Sequence, residues 1–273
     1  MTLSWWGSAH ATGYDVKRAT KPGGPYVTIG TANATDTFFT DTKVTDGNNY
    51  YYVVSAQGPD GESATSAELK VAQSLASRYD FDGNAKDTIG TNGATVNGAP
   101  NYAPGKVGAQ AIALDGADDY VTLPKGVANF QDVTIAAWVY WDGGGNFQRI
   151  FDFGSEVEAN MFLTPKSNIG KLLFSITTTR AAEGSGTLEA PALPANEWAH
   201  VAITLNGDTG TLYVNGKAVA AGTVTLDPLF AQTNCYIGKS QYPDPLFKGR
   251  IDDFRIYNYA LSGEQVAVLA KGN

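Results

Sequence analysis

The sequence predicts an all-β protein, and three observations carry the prediction. Short runs of β-branched and aromatic residues recur along the 273 residues, with Tyr at 14 and Phe at 12. Gly (31) and Pro (12) punctuate those runs at turn positions. Only Ser262 to Ala270 has helical spacing, with Ser262 placed to cap its start and Gly272 to end it. The chain is long enough for two β modules.

The first 72 residues read as one module. Leu3-Ser4-Trp5 begins a strand, and Gly13 to Arg18 alternates apolar with polar as a half-buried strand does. Lys21 to Pro25 is a turn before Tyr26 to Ile29, and Asp46 to Asn49 is a turn before Tyr50 to Ala56. Val71 to Leu75 is a short joint, so residues 73–273 form the second module. In it, strands are expected at Val133–Trp141, Gln148–Phe153, Lys171–Thr177, Trp198–Leu205, Thr211–Val214 and Arg250–Tyr257. Asn206-Gly207, Asn215-Gly216 and Gly143 to Gly145 are the turn signals between them. This pattern implies two large antiparallel sheets and one short C-terminal helix.

Net charge narrows the function. The formal charge of −8 comes with no basic cluster to release counterions from a phosphate backbone, so nucleic acid is excluded as a partner. No apolar run is long enough to insert in a membrane as a helix. Cys235 is the single cysteine, so no internal disulfide forms, and it reads as a small core residue. There is no HExxH, GxSxG, Cys-His pair or P-loop, and the two histidines fall in different modules. Glu156 and Glu158 read as solvated loop acids rather than a glycosidase pair. No catalytic residue is assigned.

Two resemblances add to this reading. Leu3-Ser4-Trp5, Ala11 to Arg18, Gly24-Pro25-Tyr26 and Tyr50 to Ala56 resemble fibronectin type III modules of bacterial polysaccharide-degrading enzymes. The resemblance implies that Trp5 is a core tryptophan and Tyr50 a corner tyrosine. The chain opens inside that pattern, without the strand that precedes Trp5 in such modules. An open sheet edge is therefore expected, and the chain reads as a piece of a longer parent. Further on, Leu193 to Ala202, Gly210 to Lys217 and Gly249 to Ser262 resemble a laminin-G-like, concanavalin A-like jelly roll, as do Tyr79 to Asn84 and Leu114 to Val121.

Candidate ligands follow from residue chemistry. Asp82 and Asp87 end the first strand of the second module, and Asp252-Asp253 lies in its last; the two strands are neighbours in a jelly roll. Clustered carboxylates suit Ca²⁺, which the resemblance also implies, in a structural role; the competing reading is turn capping and pairing with Arg250 or Arg255. Asp118-Asp119 reads as a turn. Sugars bind by stacking on aromatic rings and by hydrogen bonds. Alternation sets Trp138 and Tyr140 opposite Ile135, Ala137 and Val139, and sets Trp198, His200 and Thr204 opposite Val201, Ile203 and Leu205. Those aromatic faces, or the loops carrying Phe147, Arg180, Glu183, Tyr242, Asp244 and Phe247, are the candidate sugar surfaces. The expected function is a non-catalytic, secreted accessory region that holds a tethered catalytic module on a polysaccharide or oligosaccharide. A protein-interaction or adhesion module, or a purely architectural domain, is the alternative.

Overall fold

The computed structural model describes residues 2–44, 49–177, 185–224 and 232–272. Asp46, Gly47 and Asn48 of the turn expected at Asp46 to Asn49, and Arg180 and Glu183 of the expected ligand loops, lie outside the described residues.

The chain divides into two compact units, Met1–Ser74 and Leu75–Asn273. In the first, Gly13–Ala19 lies between Val27–Asn33 and Asn49–Gly58, and Leu69–Ala72 pairs along the last of these. Thr2–Ser4 pairs separately with Phe38–Thr40. Leu3, Val16, Tyr50 and Tyr52 form the small core, with Trp5 half-buried against it and edge-on to Tyr14. The Tyr52 hydroxyl donates to Asp41 at 2.9 Å, and Asp41 also accepts from Arg18 at 2.7 Å, so a buried carboxylate is both paired and hydrogen-bonded. Val27–Asn33 is the outermost strand of its sheet and is largely exposed.

The second unit is a sandwich of two antiparallel sheets. One runs in the order Asn101–Pro104, Gln110–Asp115, Lys248–Tyr257, Val133–Trp141, Trp198–Asn206, Thr209–Val214, Lys217–Thr223, with Leu75–Tyr79 also paired to Lys248–Tyr257. The other runs Ser185–Pro191, Lys171–Thr177, Ala159–Thr164, Phe151–Ser155, Asn234–Ile237, Tyr120–Leu123, Thr95–Asn97. Alternation decides what each strand buries. Ile135, Ala137, Val139 and Trp141 enter the shared core with Val201, Ile203 and Leu205 from one sheet, and with Phe151, Phe153, Met161 and Phe174 from the other. Phe254 is fully buried against Phe151, Phe153 and Tyr79, at ring separations of 6.2–6.5 Å. Cys235 is a buried core residue.

The helix Gly263–Leu269 is closed at its start by a capping box between Ser262 and Gln265. It buries Val266 against Ala136, Ala202 and Tyr213, on the outer side of the first sheet. Thr134 ties the approach to it: its hydroxyl donates to the Tyr259 carbonyl and accepts from the Leu261 N–H, both at 2.8 Å. The strand expected to start at Gln148 starts at Phe151. Gln148 and Arg149 precede it and are engaged by side-chain contacts, Gln148 accepting from Trp141 Nε1 at 2.7 Å.

Candidate ligand site on the outer face of the larger sheet

Register brings one row of side chains across five strands. Asn101 lies opposite Ala113, Ala113 opposite Arg250, Arg250 opposite Tyr140, and Tyr140 opposite Trp198. Alternation points the whole row away from the core. The rings of Tyr140 and Trp198 meet edge-to-face at 5.6 Å, and the Arg250 guanidinium lies 3.9 Å above the Tyr140 ring. Arg250 also donates to the Pro104 carbonyl at 3.0 Å, which fixes it over that ring. All three side chains remain partly exposed. A cleft of about 510 Å³ opens beside Arg250, lined by Asn101, Asp115, Asp119, Asp142 and Lys248. Aromatic edges, a guanidinium and several carboxylates around an open cleft offer stacking, donors and acceptors together, which suits a neutral, hydroxyl-rich ligand.

The next row inward is closed. Trp138 and His200, expected at the sugar surface, are only 5% and 3% exposed. Their rings pack edge-to-face at 5.4 Å, and the Lys106 ammonium lies 4.9 Å from the Trp138 ring centre. A Cβ placed on Gly272 would meet both Trp138 and Val107, so the end of the chain covers this row. Burial holds the His200 imidazole down at about 4, neutral near pH 7. The ligand expectation for Trp138 and His200 is corrected on this ground: they are packing residues. Tyr242 is 41% exposed, but on the other sheet's side, where its N–H is held by Ser240. Phe247 is fully buried and belongs to the core. Glu156 and Glu158 are exposed, as expected for loop acids.

The four aspartates expected to share a metal are occupied separately. Asp82 accepts from the Ala109 and Gln110 N–H groups at 2.8 and 2.6 Å. Asp87 accepts from Arg78, Ile89, Gly90 and Asn92 N–H groups; burial alone would raise its carboxyl, yet these bonds hold it below the usual range. Asp253 pairs with Arg78 at 2.7 Å and Arg255 at 2.8 Å. Asp252 accepts through one oxygen from Lys106 and Val107, and only its buried Oδ1 is without a partner. Among the described residues these four carboxylates are held by separate sets of donors and do not converge, so they do not fit as a single site an ion that takes six to eight oxygens. A bulge lies here: register shifts between Ala136 and Trp138, Asp253 takes φ +48, and the two adjacent acids both turn to the outer face, where Asp252 meets the Lys106 and Val107 N–H groups and Asp253 meets Arg78 and Arg255. Among the described residues, the acids that do converge are Asp115, Asp118 and Asp119, with one oxygen each within 4.8 Å. They form the turn after Gln110–Asp115, and Asp115 is lowered chiefly by the Ala117 N–H.

Comparison with known proteins agrees with this architecture. Residues 115–267 match the family model of the concanavalin A-like lectin/glucanases superfamily. The chain belongs to this superfamily. Among solved structures, domain 4 of AbnA, a GH43 extracellular arabinanase from Geobacillus stearothermophilus, solved in complex with arabinotriose, is similar at 25% identity and a TM-score of 0.65. That match covers 72% of this chain and 98% of that domain. The binding domain of Paraclostridial Mosquitocidal Protein 1 shares the fold at 16% identity and a TM-score of 0.56, over 72% of this chain and 51% of that one. A 54-residue stretch is 48% identical to an amylopullulanase of Thermoanaerobacterium saccharolyticum; it spans 20% of this chain and 4% of that enzyme. The superfamily member is thus similar to parts of two glycosidases. Among the described residues, no helix is long and apolar enough to cross a membrane.

Proposed function

We propose that this chain is a non-catalytic accessory region of a secreted bacterial polysaccharide-degrading enzyme, and that it binds oligosaccharide on the Arg250–Tyr140–Trp198 row. The observation that carries the reading is that row itself: partly exposed aromatic rings and a guanidinium beside a polar cleft. The resemblance to the arabinanase domain solved with arabinotriose supports the ligand class. The fibronectin-like first unit acts as a spacer. Binding raises the effective concentration of a tethered catalytic module at its substrate. Calcium, in this reading, is structural and belongs at the Asp115–Asp118–Asp119 turn, at the rim of the same cleft.

Calorimetric titration with arabinotriose and a panel of other neutral oligosaccharides tests the proposal. Trp198→Ala and Tyr140→Ala should each weaken binding by about tenfold, while circular dichroism stays unchanged. Binding unaffected by both substitutions, or no binding to any glycan of the panel, would sink it.

A further inference from the structure

A second row of side chains runs beside the Asn101–Trp198 row, two residues further along the strands. Lys248 lies opposite Asp115, as Arg250 lies opposite Ala113. The Asp142 N–H donates to the Lys248 carbonyl at 3.1 Å, which carries the pairing of Tyr140 with Arg250 on to Asp142 and Lys248. Alternation therefore turns Asp115, Lys248 and Asp142 to the same outer face as Ala113, Arg250 and Tyr140. All three are exposed, and all three line the cleft beside Arg250. Ala113 lines it too. Its short side chain leaves the sheet surface low, with Asn101 and Arg250 to either side and Asp115 and Lys248 beyond.

Facing residues on neighbouring strands have Cα atoms only ~5 Å apart, close enough for opposite charges to pair. Yet among the described residues the Lys248 ammonium and the Asp142 carboxylate make no ion pair and no hydrogen bond. They leave a donor and an acceptor side by side and open to a ligand. An ammonium only donates and a carboxylate only accepts. Two neighbouring hydroxyls serve both, one accepting from Lys248 and the next donating to Asp142. The Lys248 stem is held in place: a Cβ on Gly116, at φ +77 in the turn, would come within 2.9 Å of Lys248 Cβ, so the stem packs against that turn. Arg250 is fixed by the Pro104 carbonyl and keeps further N–H donors. Four strand-to-strand steps separate Asn101 from Trp198, a span of about 19 Å that exceeds one sugar ring several times over.

We propose that the glycan lies across the strands, stacked on Tyr140 and Trp198 and continuing through the trough over Ala113, where Lys248 and Asp142 hold neighbouring hydroxyls. Lys248 and Asp142 are then specificity-determining residues. The ligand is a stretch of several residues of a neutral chain rather than a single terminal sugar. The inference rests on the reading that the Arg250–Tyr140–Trp198 row binds sugar.

Calorimetric titration of the whole chain with linear arabino-oligosaccharides, from the dimer to the hexamer, tests it. Affinity should rise roughly tenfold from the dimer to the tetramer and then level off. Lys248→Met keeps the stem on the turn and removes the donor. Asp142→Ala removes an exposed side chain that makes no bond of its own. Each should weaken tetramer binding roughly fivefold while Tm stays unchanged. Affinity untouched by both variants but weakened by Trp198→Ala overturns the trough and leaves the first reading standing. A dimer that binds as tightly as the hexamer overturns the path across the strands and also leaves that reading standing. Weakening by the two cleft variants without any effect of Trp198→Ala overturns both. If none of these oligosaccharides binds, the inference is overturned, and the first reading falls with it only when the rest of the neutral panel fails as well.

Discussion

Asp252→Asn tests the energetics of the covered sheet face. Asp252 is fully buried; one oxygen accepts from the Lys106 and Val107 N–H groups, and the other accepts nothing. Burial pushes its carboxyl from 3.8 up to about 6. That rise corresponds to ~3 kcal/mol of destabilisation when the group is ionised in the folded state. The folded value lies above the unfolded one, so the stability this group contributes is fully present below 3.8 and is lost as pH rises through about 6. Asparagine keeps an oxygen for the two N–H donors and removes the charge. Its amide nitrogen then sits where Oδ1 was, without an acceptor, which costs about 1 kcal/mol. The variant should be more stable by about 2 kcal/mol near pH 7.5, seen as a urea midpoint raised by close to 1 M in EDTA. The advantage should vanish near pH 4, where the wild-type carboxyl is already mostly protonated. A variant that unfolds at lower urea near pH 7.5 in EDTA would refute the reasoning, because the ionised carboxylate would then be needed by a donor at Oδ1.

Three further outcomes follow from packing and charge. Phe254→Ala empties the centre of an aromatic cluster and should cost about 3–5 kcal/mol, measured by chemical unfolding at constant m-value. Gly249→Ala would place a Cβ 2.1 Å from the Tyr140 carbonyl oxygen at φ +141, so it should lower stability by at least ~2 kcal/mol, read as a drop in Tm. Millimolar Ca²⁺ should raise Tm in the wild type and not in Asp118→Asn; an equal rise in both would remove the Asp115–Asp119 turn as the ion's place.

Much of this fold can be read from residue order, because alternation and turn chemistry act locally. Ser262 and Gln265 announce the helix start, and Ile135 to Trp141 shows which side chains enter the core. The candidate site is less legible. Trp138 and Tyr140 have the same alternation and the same aromatic character, yet one is covered and the other is partly open. The difference comes from Lys106, Val107 and Gly272, which lie far away in sequence. Asp252-Asp253 reads as a paired ligand, and a bulge does turn both acids to one face, but their carboxylates are taken up by Lys106, Val107 and Arg78, which lie far away in sequence. Arg149 and Asp152 escaped notice because they sit in an apolar run. The available signal was a lone aspartate between Phe151 and Phe153, which alternation places outside the core, with an arginine three residues before it as its partner.

The outer face of the larger sheet is therefore graded along its strands rather than uniform. Thr134 anchors the Tyr259–Leu261 segment, Ala136 lies under the helix, Trp138 lies under the chain's end, and Tyr140 is half-open. The small residue at position 136 admits the helix, and the helix in turn carries the C-terminal residues toward Trp138. The middle row is the least satisfied: Asp252 Oδ1, Trp138 Nε1 and His200 Nδ1 are adjacent in register, buried, and without hydrogen-bond partners. Orphaned polar atoms each cost about 1–3 kcal/mol, so this row weakens the cover over it. The open row beside it has no such debt, since Arg250 is both stacked and hydrogen-bonded. A ligand that reaches the Tyr140–Trp198 edge meets a platform that is already ordered. For that reason, sugar recognition on this sheet should depend on Tyr140, Trp198 and Arg250, while changes at Trp138 and His200 should register as stability.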